Sequence, residues 1–248
     1  MDDFKTMAAG LPDPFRLLRR ETVGSTNDDL RVLAEAGATE GLILLAENQT
    51  TGRGRRGAAW FSPSGESLAC SILIRPEEPK ALWPRLALAT GLAVAESLEA
   101  LGLQAGIKWP NDLWIEQRKV AGILVESGKD FVIIGIGLNV NTLEFPPEIA
   151  KIATSLQLAG GKWYSRADVL SGIVHRLSSR RFQIGSEFEV LLKAVRLRCV
   201  LTGQRVSLHT SQGKKSGIVE GINSRGELML RNENGIEALI QADEIRIA

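Results

Sequence analysis

A closely spaced series of apolar segments between Leu103 and Asn141 is the feature that most restricts the fold of this 248-residue chain. The segments read LQAGIKW, DLWIE, KVAGILVES and FVIIGIGLNVN, with short turn-like stretches such as PN and GKD between them. Parallel neighbouring strands need a crossover of about a dozen residues or more, whereas antiparallel strands need only a tight turn. The spacing therefore predicts a run of consecutive antiparallel strands, a β meander.

Helical spacing of apolar residues marks four other segments, which have capping residues, an early proline or a closing glycine at their ends. The expected helices follow Ser25, occupy about 83–102, and cover about 165–181 and 186–198. The continuous apolar run at 41–47 is typical of a buried strand, and a further β-like run ends at Pro76. These elements predict the α+β class, with a mainly antiparallel sheet and helices on one face.

The pattern changes near Thr202, where short alternating segments separated by Gly, Asn and Ser begin. QRVSLHT, KSGIVEGI, GELMLR and IEALI suit a small β barrel of about 45 residues, which is too small to bury much core alone. We therefore expect two domains, 1–202 and 203–248, with the second packed on the first.

The balanced charge excludes the strong overall basic field that dominates DNA binding, since the formal net charge is only +1. The two cysteines, Cys70 and Cys199, form no C-x-x-C pair, so we expect buried thiols rather than a disulfide framework or a zinc site. The N-terminus lacks an apolar signal-peptide core, and no run of 18 apolar residues occurs. These features predict a cytoplasmic protein.

The segment TTGRGRRGAAW contains Gly52-Arg53-Gly54-Arg55-Arg56-Gly57, which matches the letters of the G-x-G-x-x-G dinucleotide motif. That motif needs a helix after the third glycine within a βαβ unit, and the segment that follows here is strand-like instead. What remains is a flexible loop whose three arginines can bind carboxylate and phosphate groups in bidentate fashion. A solvated basic turn would have the same letters, so the rest of the sequence must decide.

Three further segments place polar residues in or beside apolar strands: IKWPNDL, RKVAGILVE and GIGLNVN. Turn chemistry explains the first equally well, and Lys119 alone would ordinarily be a solvated surface lysine. The glycines of the third segment indicate close approach of a ligand or of another backbone.

In their order along the chain, these motifs closely resemble those of biotin protein ligases, and the resemblance covers about residues 15 to 248. The matching segments are GSTN (24–27), AENQTTGRGRRGAAWFSP (46–63), IKWPNDL (107–113), RKVAGILVE (118–126) and GIGLNVN (135–141). GIVEGINSRGELML is similar to the SH3-like module at the end of that family. The resemblance implies a class II synthetase-like catalytic domain followed by an SH3-like β barrel.

The activity implied by the resemblance is a two-step ligation that uses biotin, ATP and Mg²⁺. Biotin is first activated as biotinyl-5′-AMP with release of pyrophosphate, and the biotinyl group then passes to a lysine of a biotin carboxyl carrier domain of acetyl-CoA carboxylase or a related carboxylase. The first step brings two anions together, so positioned cations are its chemical requirement. The family is often homodimeric, which leaves a homodimer open for this chain.

The same resemblance assigns roles to individual residues. The expected biotin-binding residues are Ser25, Thr26, Asn27, Gln49, Arg53, Gly54, Arg55, Lys119 and Gly135. The residues expected to bind ATP or the adenylate are Arg53, Arg55, Arg56, Trp60, Lys108, Asn111, Lys119 and Asn139. Lys119, Arg55 and Asp112 are expected to be catalytic, and Asp112 and Asn139 to bind Mg²⁺.

Some members of the family carry an N-terminal helix-turn-helix module and repress transcription. Only 24 residues precede Ser25 here, whereas such a module needs on the order of 50 residues. We therefore expect a monofunctional ligase without a DNA-binding domain, and no nucleic-acid or membrane partner.

Two alternative functions stay open at this point. A lipoate or octanoate ligase would have related architecture, although its RRxSGGG-type loop differs from the GRGRRG present here. An RNA-binding module would use the arginine loop and the small barrel, although aromatic residues make up only 5% of the chain and single-strand binders need aromatic stacking platforms.

Overall fold

A seven-stranded sheet forms the centre of the computed structural model, which describes residues 2–210, 213–243 and 245–248. The strands lie in the order β1-β2-β3-β7-β6-β5-β4. β1 and β2 are parallel, and each of the other neighbouring pairs is antiparallel. The strands are β1 Arg16–Val23, β2 Leu42–Gln49, β3 Ser67–Ile74, β4 Gly106–Lys108, β5 Asp112–Ile115, β6 Arg118–Ser127 and β7 Val132–Asn139.

The predicted meander is confirmed, because β4, β5, β6 and β7 are adjacent in the sheet in the order in which they occur in the chain. β1 was not anticipated. Its sequence, RLLRRETV, is mostly exposed at the edge of the sheet, so it lacks the apolar alternation that marks a strand.

Six α-helices accompany the described part of the sheet. They are α1 Phe4–Ala9, α2 Thr26–Glu35, α3 Leu86–Ala100, α4 Leu156–Gly160, α5 Arg166–Arg180 and α6 Phe188–Arg198. The segment predicted as one helix at 83–102 starts as a 3₁₀ turn, Lys80–Arg85, and becomes α-helical only after Pro84. The four predicted helices correspond to α2, α3, α5 and α6.

The helices lie on both faces of the sheet, so the expectation of helices on one face was wrong. Leu30 of α2 belongs to a buried cluster with Leu73 and Ile133, whereas their strand neighbours Ile72 and Ile134 belong to the core that contains α3, α5 and α6. Successive side chains of a strand point to opposite faces. The central strands are apolar at consecutive positions, so both faces of the sheet must be shielded from water by helices.

The C-terminal part of the chain forms a separate five-stranded antiparallel sheet. Its strands are β8 Arg205–Thr210, β9 Gly213–Ile222, β10 Leu228–Asn232, β11 Gly235–Leu239 and β12 Ile245–Ile247, in the order β11-β10-β9-β8-β12. The buried side chains of Val206, Val219 and Leu228 join the same continuous core as the helices of the large sheet. A C-terminal β unit is therefore packed against the helices that cover the large sheet.

Both cysteines are free, as expected, but only Cys70 is buried and Cys199 is half-buried. Burial raises the pKa of the Cys70 thiol to about 12, which keeps this side chain neutral. Within the described ranges, no helix has the length and apolar character that crossing a membrane requires.

Candidate active site

A cavity of about 190 Å³ opens on the α2 face of the large sheet, beyond the N-terminus of α2 and under the glycine-arginine loop. Most of the residues predicted for the site line it, although they come from distant parts of the sequence. The predicted residues in its wall are Ser25, Thr26, Asn27, Gln49, Arg53, Gly54, Arg55, Trp60, Asn111, Asp112, Lys119 and Gly135.

One end of the cavity is a neutral polar network around the first turn of α2. Ser25 is the N-cap residue, and Thr26 and Asn27 are buried at the start of the helix. Gln49 Oε1 accepts a hydrogen bond from the Thr26 backbone N–H at 2.9 Å. Ser71 Oγ, on β3, lies 2.7 Å from Thr26 Oγ1 and 2.6 Å from Asn27 Oδ1. Because these groups are buried and bonded to one another, their orientation is fixed before any ligand binds.

Arg53 is held to this network by two carboxylates. Its guanidinium forms an ion pair with Asp28 of α2 and donates to Glu126 Oε1 of β6 at 3.2 Å. Hydrogen bonding to Asp28, together with the charge of Glu126, raises the pKa of Arg53. The positive charge of Arg53 is therefore largely compensated inside the protein.

Arg55 has a different environment, because the group that it contacts is neutral. Its Nη1 donates to the amide oxygen of Asn111 at 3.2 Å, and the Asn111 amide nitrogen is itself bound to the carbonyl of Ile123 at 2.8 Å. Burial lowers the pKa of Arg55, while the charge of Asp112 opposes that shift. A guanidinium that is partly desolvated and bonded to an amide is well suited to bind an anion.

Lys119 brings a second cation to the same side of the cavity. Its Nζ lies 2.7 Å from Asp112 Oδ1 and 5.4 Å from the centre of the Trp60 ring. The backbone of Lys119 is fixed by hydrogen bonds to the loop before α4: its N–H donates to Ile152 at 2.7 Å, and its carbonyl accepts from Thr154 at 2.9 Å. Asp112 therefore orients a lysine whose backbone is already anchored.

Two glycines of β6 and β7 make room for Trp60. A Cβ atom on Gly137 would lie 2.3 Å from the indole, and one on Gly122 would lie 3.2 Å from it. The indole Nε1 is buried, and it has no hydrogen-bond partner within the described residues. The sequence predicted close approach of a ligand or of another backbone at the GIGLNVN glycines. The groups that approach in the structure are side chains instead, Trp60 at Gly137 and Asn27 at Gly135.

Three predicted site residues do not line the cavity. Arg56 forms an ion pair with Asp243 of the C-terminal unit. Lys108 pairs across the strands with Asp112, and its Nζ lies 4.2 Å from the centre of the Trp114 ring. Asn139 is buried, and its amide nitrogen donates to Thr154 at 3.0 Å.

The structure also places residues in or beside the site to which the sequence assigned no role. Gly122 and Leu124 fall inside the matched RKVAGILVE segment, so closer reading of that motif would have found them. Glu126 ends the same segment and was likewise given no role, whereas Asp28, Ser71 and Asp243 reach the site only through contacts between distant segments.

No cluster of three or more metal-binding side chains of the His, Cys, Asp or Glu type occurs among residues 2–210, 213–243 and 245–248. The protein alone therefore offers no closed metal site in that part of the chain. The site can instead bind a ligand that is neutral and polar at one end and anionic at the other, and it can stabilise negative charge near Arg55 and Lys119.

Comparison with known proteins identifies the class. Residues 21–141 match the biotin/lipoate A/B protein ligase family, and residues 201–243 match the biotin protein ligase C-terminal domain. The fold and the site thus define a protein ligase of this broad class.

Individual relatives narrow the assignment. The chain is 35% identical to the bifunctional ligase/repressor BirA of Bacillus spizizenii over 92% of this chain and 73% of that protein. It is also 35% identical to the biotin–[acetyl-CoA-carboxylase] ligase of Mycobacterium tuberculosis over 90% of this chain and 85% of that protein. The solved biotin protein ligase from Aquifex aeolicus in complex with biotin and ATP matches with a TM-score of 0.85 and 34% identity, covering 94% of this chain and 99% of that one. The chain belongs to the biotin protein ligase family.

Proposed function

We propose that this protein is an ATP-dependent biotin protein ligase that acts on a lysine of a biotin carboxyl carrier domain. In the first step, a biotin carboxylate oxygen bonds to the α-phosphorus of ATP, and the bond to the β-phosphate oxygen breaks to release pyrophosphate. In the second step, the lysine nitrogen bonds to the acyl carbon of biotinyl-5′-AMP, the bond to the phosphate oxygen breaks, and AMP and the amine proton leave.

The observation that carries this proposal is the polarity of the cavity. Thr26 and Gln49 provide neutral hydrogen-bonding groups at one end, while Arg55 and Lys119 provide cations at the other. Biotin has the same polarity, because its ureido ring is neutral and its carboxylate is anionic. A lipoate ligase is not favoured, since a dithiolane ring has no use for a buried polar network.

We assign biotin binding to Ser25, Thr26, Asn27, Gln49, Arg53, Gly54 and Gly135 in addition to the two cations, Arg55 and Lys119. In this assignment, the network around α2 binds the ureido ring, and Gly135 leaves space beside Asn27. Arg53 serves mainly to hold the loop, because its charge is compensated by carboxylates.

The adenylation role belongs to Lys119, Arg55 and Asp112. Lys119 and Arg55 stabilise the negative charge that grows on the phosphate oxygens in the transition state. Asp112 orients Lys119 through the contact of 2.7 Å. Closure of the glycine-arginine loop keeps water from the mixed anhydride until the acceptor lysine arrives.

We assign adenylate binding to Trp60 and Asn111, and we retain Arg56, Lys108 and Asn139 as predictions. The Asn139 side-chain oxygen supports such a contact, because it is buried without a hydrogen-bond partner in the described part of the chain. A hydrogen-bond donor of the nucleotide would satisfy it.

Mg²⁺ fits the site only as a cation shared with the phosphates of ATP. Mg²⁺ usually takes one or two carboxylates and completes its coordination with phosphate oxygens and water, so the Asp112 carboxylate in the cavity wall would suffice as a protein ligand. Asn139 lies outside that wall and stays a prediction as a second ligand. Bound there, the ion would neutralise phosphate charge and favour departure of pyrophosphate.

The remaining assignments concern the whole molecule. We propose a domain boundary between residues 202 and 203, an SH3-like barrel for the C-terminal sheet, and a cytoplasmic location suited to a carrier domain of acetyl-CoA carboxylase. Homodimer formation stays a prediction, and sedimentation of the protein with and without biotin and ATP would measure it.

The activity is tested by exchange of labelled pyrophosphate into ATP. Biotin should stimulate the exchange, and lipoate should not. Stimulation by lipoate alone would favour the lipoate ligase, and no exchange with either acid, together with steeply salt-dependent RNA binding, would favour the non-enzymatic alternative.

A further inference from the structure

Glu126 is a carboxylate that lies behind the proposed biotin site and does not line the cavity. It is on β6, two residues beyond the cavity residue Leu124, and its side chain is only 26% exposed to solvent. Its Oε2 accepts a hydrogen bond from the Asn27 amide nitrogen at 2.6 Å, and its Oε1 accepts one from Arg53 at 3.2 Å. It thus joins the helix that carries the site to the loop that covers it.

The chemistry of Glu126 fixes the orientation of Asn27. An ionised carboxylate only accepts hydrogen bonds, so the amide nitrogen of Asn27, which donates, must face it. The amide oxygen of Asn27 must then face Ser71, whose Oγ lies 2.6 Å away. Rotating the amide by half a turn would place two acceptors 2.6 Å apart and is excluded.

The same reasoning extends through Ser71 to Thr26. A hydroxyl carries one hydrogen, and Ser71 has two oxygen neighbours, Asn27 Oδ1 and Thr26 Oγ1. The Asn27 oxygen has no hydrogen of its own and requires the one from Ser71. The Thr26 hydroxyl also lies 3.1 Å from Gln49 Oε1, but that oxygen already accepts a hydrogen bond from the Thr26 backbone N–H at 2.9 Å. The shorter contact of 2.7 Å between the two hydroxyls would hold no hydrogen unless Thr26 supplied it, so the Thr26 hydroxyl donates to Ser71.

We propose that Glu126 is a positioning residue that sets the direction of every hydrogen bond in this chain of groups, the Glu126 relay (Thr26, Ser71, Asn27, Glu126). Because the hydrogen of Thr26 is directed inward, Thr26 offers the cavity a lone pair. The site is thereby set to accept an N–H group from its ligand, as a neutral cyclic urea provides. This inference rests on the proposed function, since biotin is the urea in question.

The experiment compares Glu126→Gln with wild-type protein and measures the Kd of biotin by calorimetry, the KM of ATP and kcat at saturating biotin. A glutamine amide can turn either group toward Asn27, so the direction of the relay is no longer enforced. We expect the Kd of biotin to rise about 10- to 100-fold, as for a lost hydrogen bond to a charged group. The KM of ATP should change less than about twofold, because the relay does not reach Lys119 and Arg53 keeps its ion pair with Asp28.

Ser71→Ala is the second variant, because it interrupts the relay while leaving Glu126 paired with Arg53. Ser71→Ala should raise the Kd of biotin by a similar factor. Because both changes break the same chain of hydrogen bonds, the Kd of biotin for the double variant should be about equal to that of the single variant with the higher Kd. Glu96→Gln is the matched control: Glu96 binds Arg180 at 2.7 Å far from the site, and its replacement should leave the Kd of biotin unchanged.

An unchanged Kd of biotin in both Glu126→Gln and Ser71→Ala would overturn the inference. So would fully multiplicative effects in the double variant, or an equal rise in the KM of ATP. Failure of the wild-type protein to bind biotin would instead refute the proposed function, and so the two claims are separable.

Discussion

Replacement of Gly135 by alanine should damage biotin binding through a single methyl group. A Cβ atom at this position would lie 2.4 Å from Asn27 Oδ1, about 1 Å inside normal contact. Asn27 cannot easily retreat, because hydrogen bonds of 2.6 Å hold it to Glu126 and to Ser71.

The size of the effect depends on whether Asn27 stays in place or moves when the methyl group is added. If Asn27 stays, over-packing costs about 1 to 3 kcal/mol. If it moves, a buried hydrogen bond is lost at a similar cost of about 1 to 3 kcal/mol. We therefore expect the free energy of unfolding to fall by about 1 to 3 kcal/mol and the Kd of biotin to rise about 10-fold or more, at 1.4 kcal/mol per tenfold change.

The assay pairs urea denaturation with calorimetric titration of biotin. Gly91→Ala in α3 is the control, because a Cβ atom there meets only Ile123 at 3.7 Å. Alanine is also favoured over glycine in a helix by about 0.5 to 1 kcal/mol, so this variant should be at least as stable as wild type and should bind biotin normally. If Gly135→Ala binds biotin as wild type does, the packing of Asn27 against β7 is not part of the site.

Three further predictions concern charges. Lys119→Ala should slow biotin-dependent pyrophosphate exchange about 100- to 1000-fold with little effect on stability; a full exchange rate would exclude the role assigned to this lysine. Arg55→Gly should remain folded and release biotinyl-5′-AMP early, which filtration of the labelled intermediate would detect; unchanged retention would contradict loop closure by Arg55. Arg166→Met should lower the free energy of unfolding by about 3 to 5 kcal/mol, since Arg166 is buried and bonded to Asp2 and Glu47. A thermal scan that matches wild type would show that this buried network contributes little.

The predictable part of the fold was the part with local signals. The meander was readable because the turns between its strands are too short for a crossover. The glycines of β7 indicated a close approach, but their pattern did not show that side chains, rather than a ligand or a backbone, approach them. β1 was missed because charged residues at a sheet edge resemble a loop. The position of α2 on the opposite face was missed because only pairing of the strands reveals which face each apolar residue occupies.

The residues of the site were likewise predictable only where the signal was local in the sequence. Arg55, Asp112 and Lys119 were found through motifs that are continuous in sequence. Glu126 ends one of these motifs and Ser71 lies in none, and neither was assigned a role, because each meets Asn27 only across 99 and 44 positions of the chain, respectively. A carboxylate and a hydroxyl in two strands have no common pattern until the sheet brings them together.

The central claim is that biotinyl-5′-AMP is both formed and consumed in one cavity. It is tested most directly by mixing enzyme, biotin and labelled Mg-ATP in a single turnover, quenching with acid, and then repeating the reaction with an isolated biotin carrier domain. We expect enzyme-bound biotinyl-5′-AMP to accumulate first and to decay on addition of the carrier, with equal amounts of AMP and biotinylated carrier lysine appearing. Biotinylated carrier formed with ADP as the product, or without any adenylate preceding it, would contradict the account.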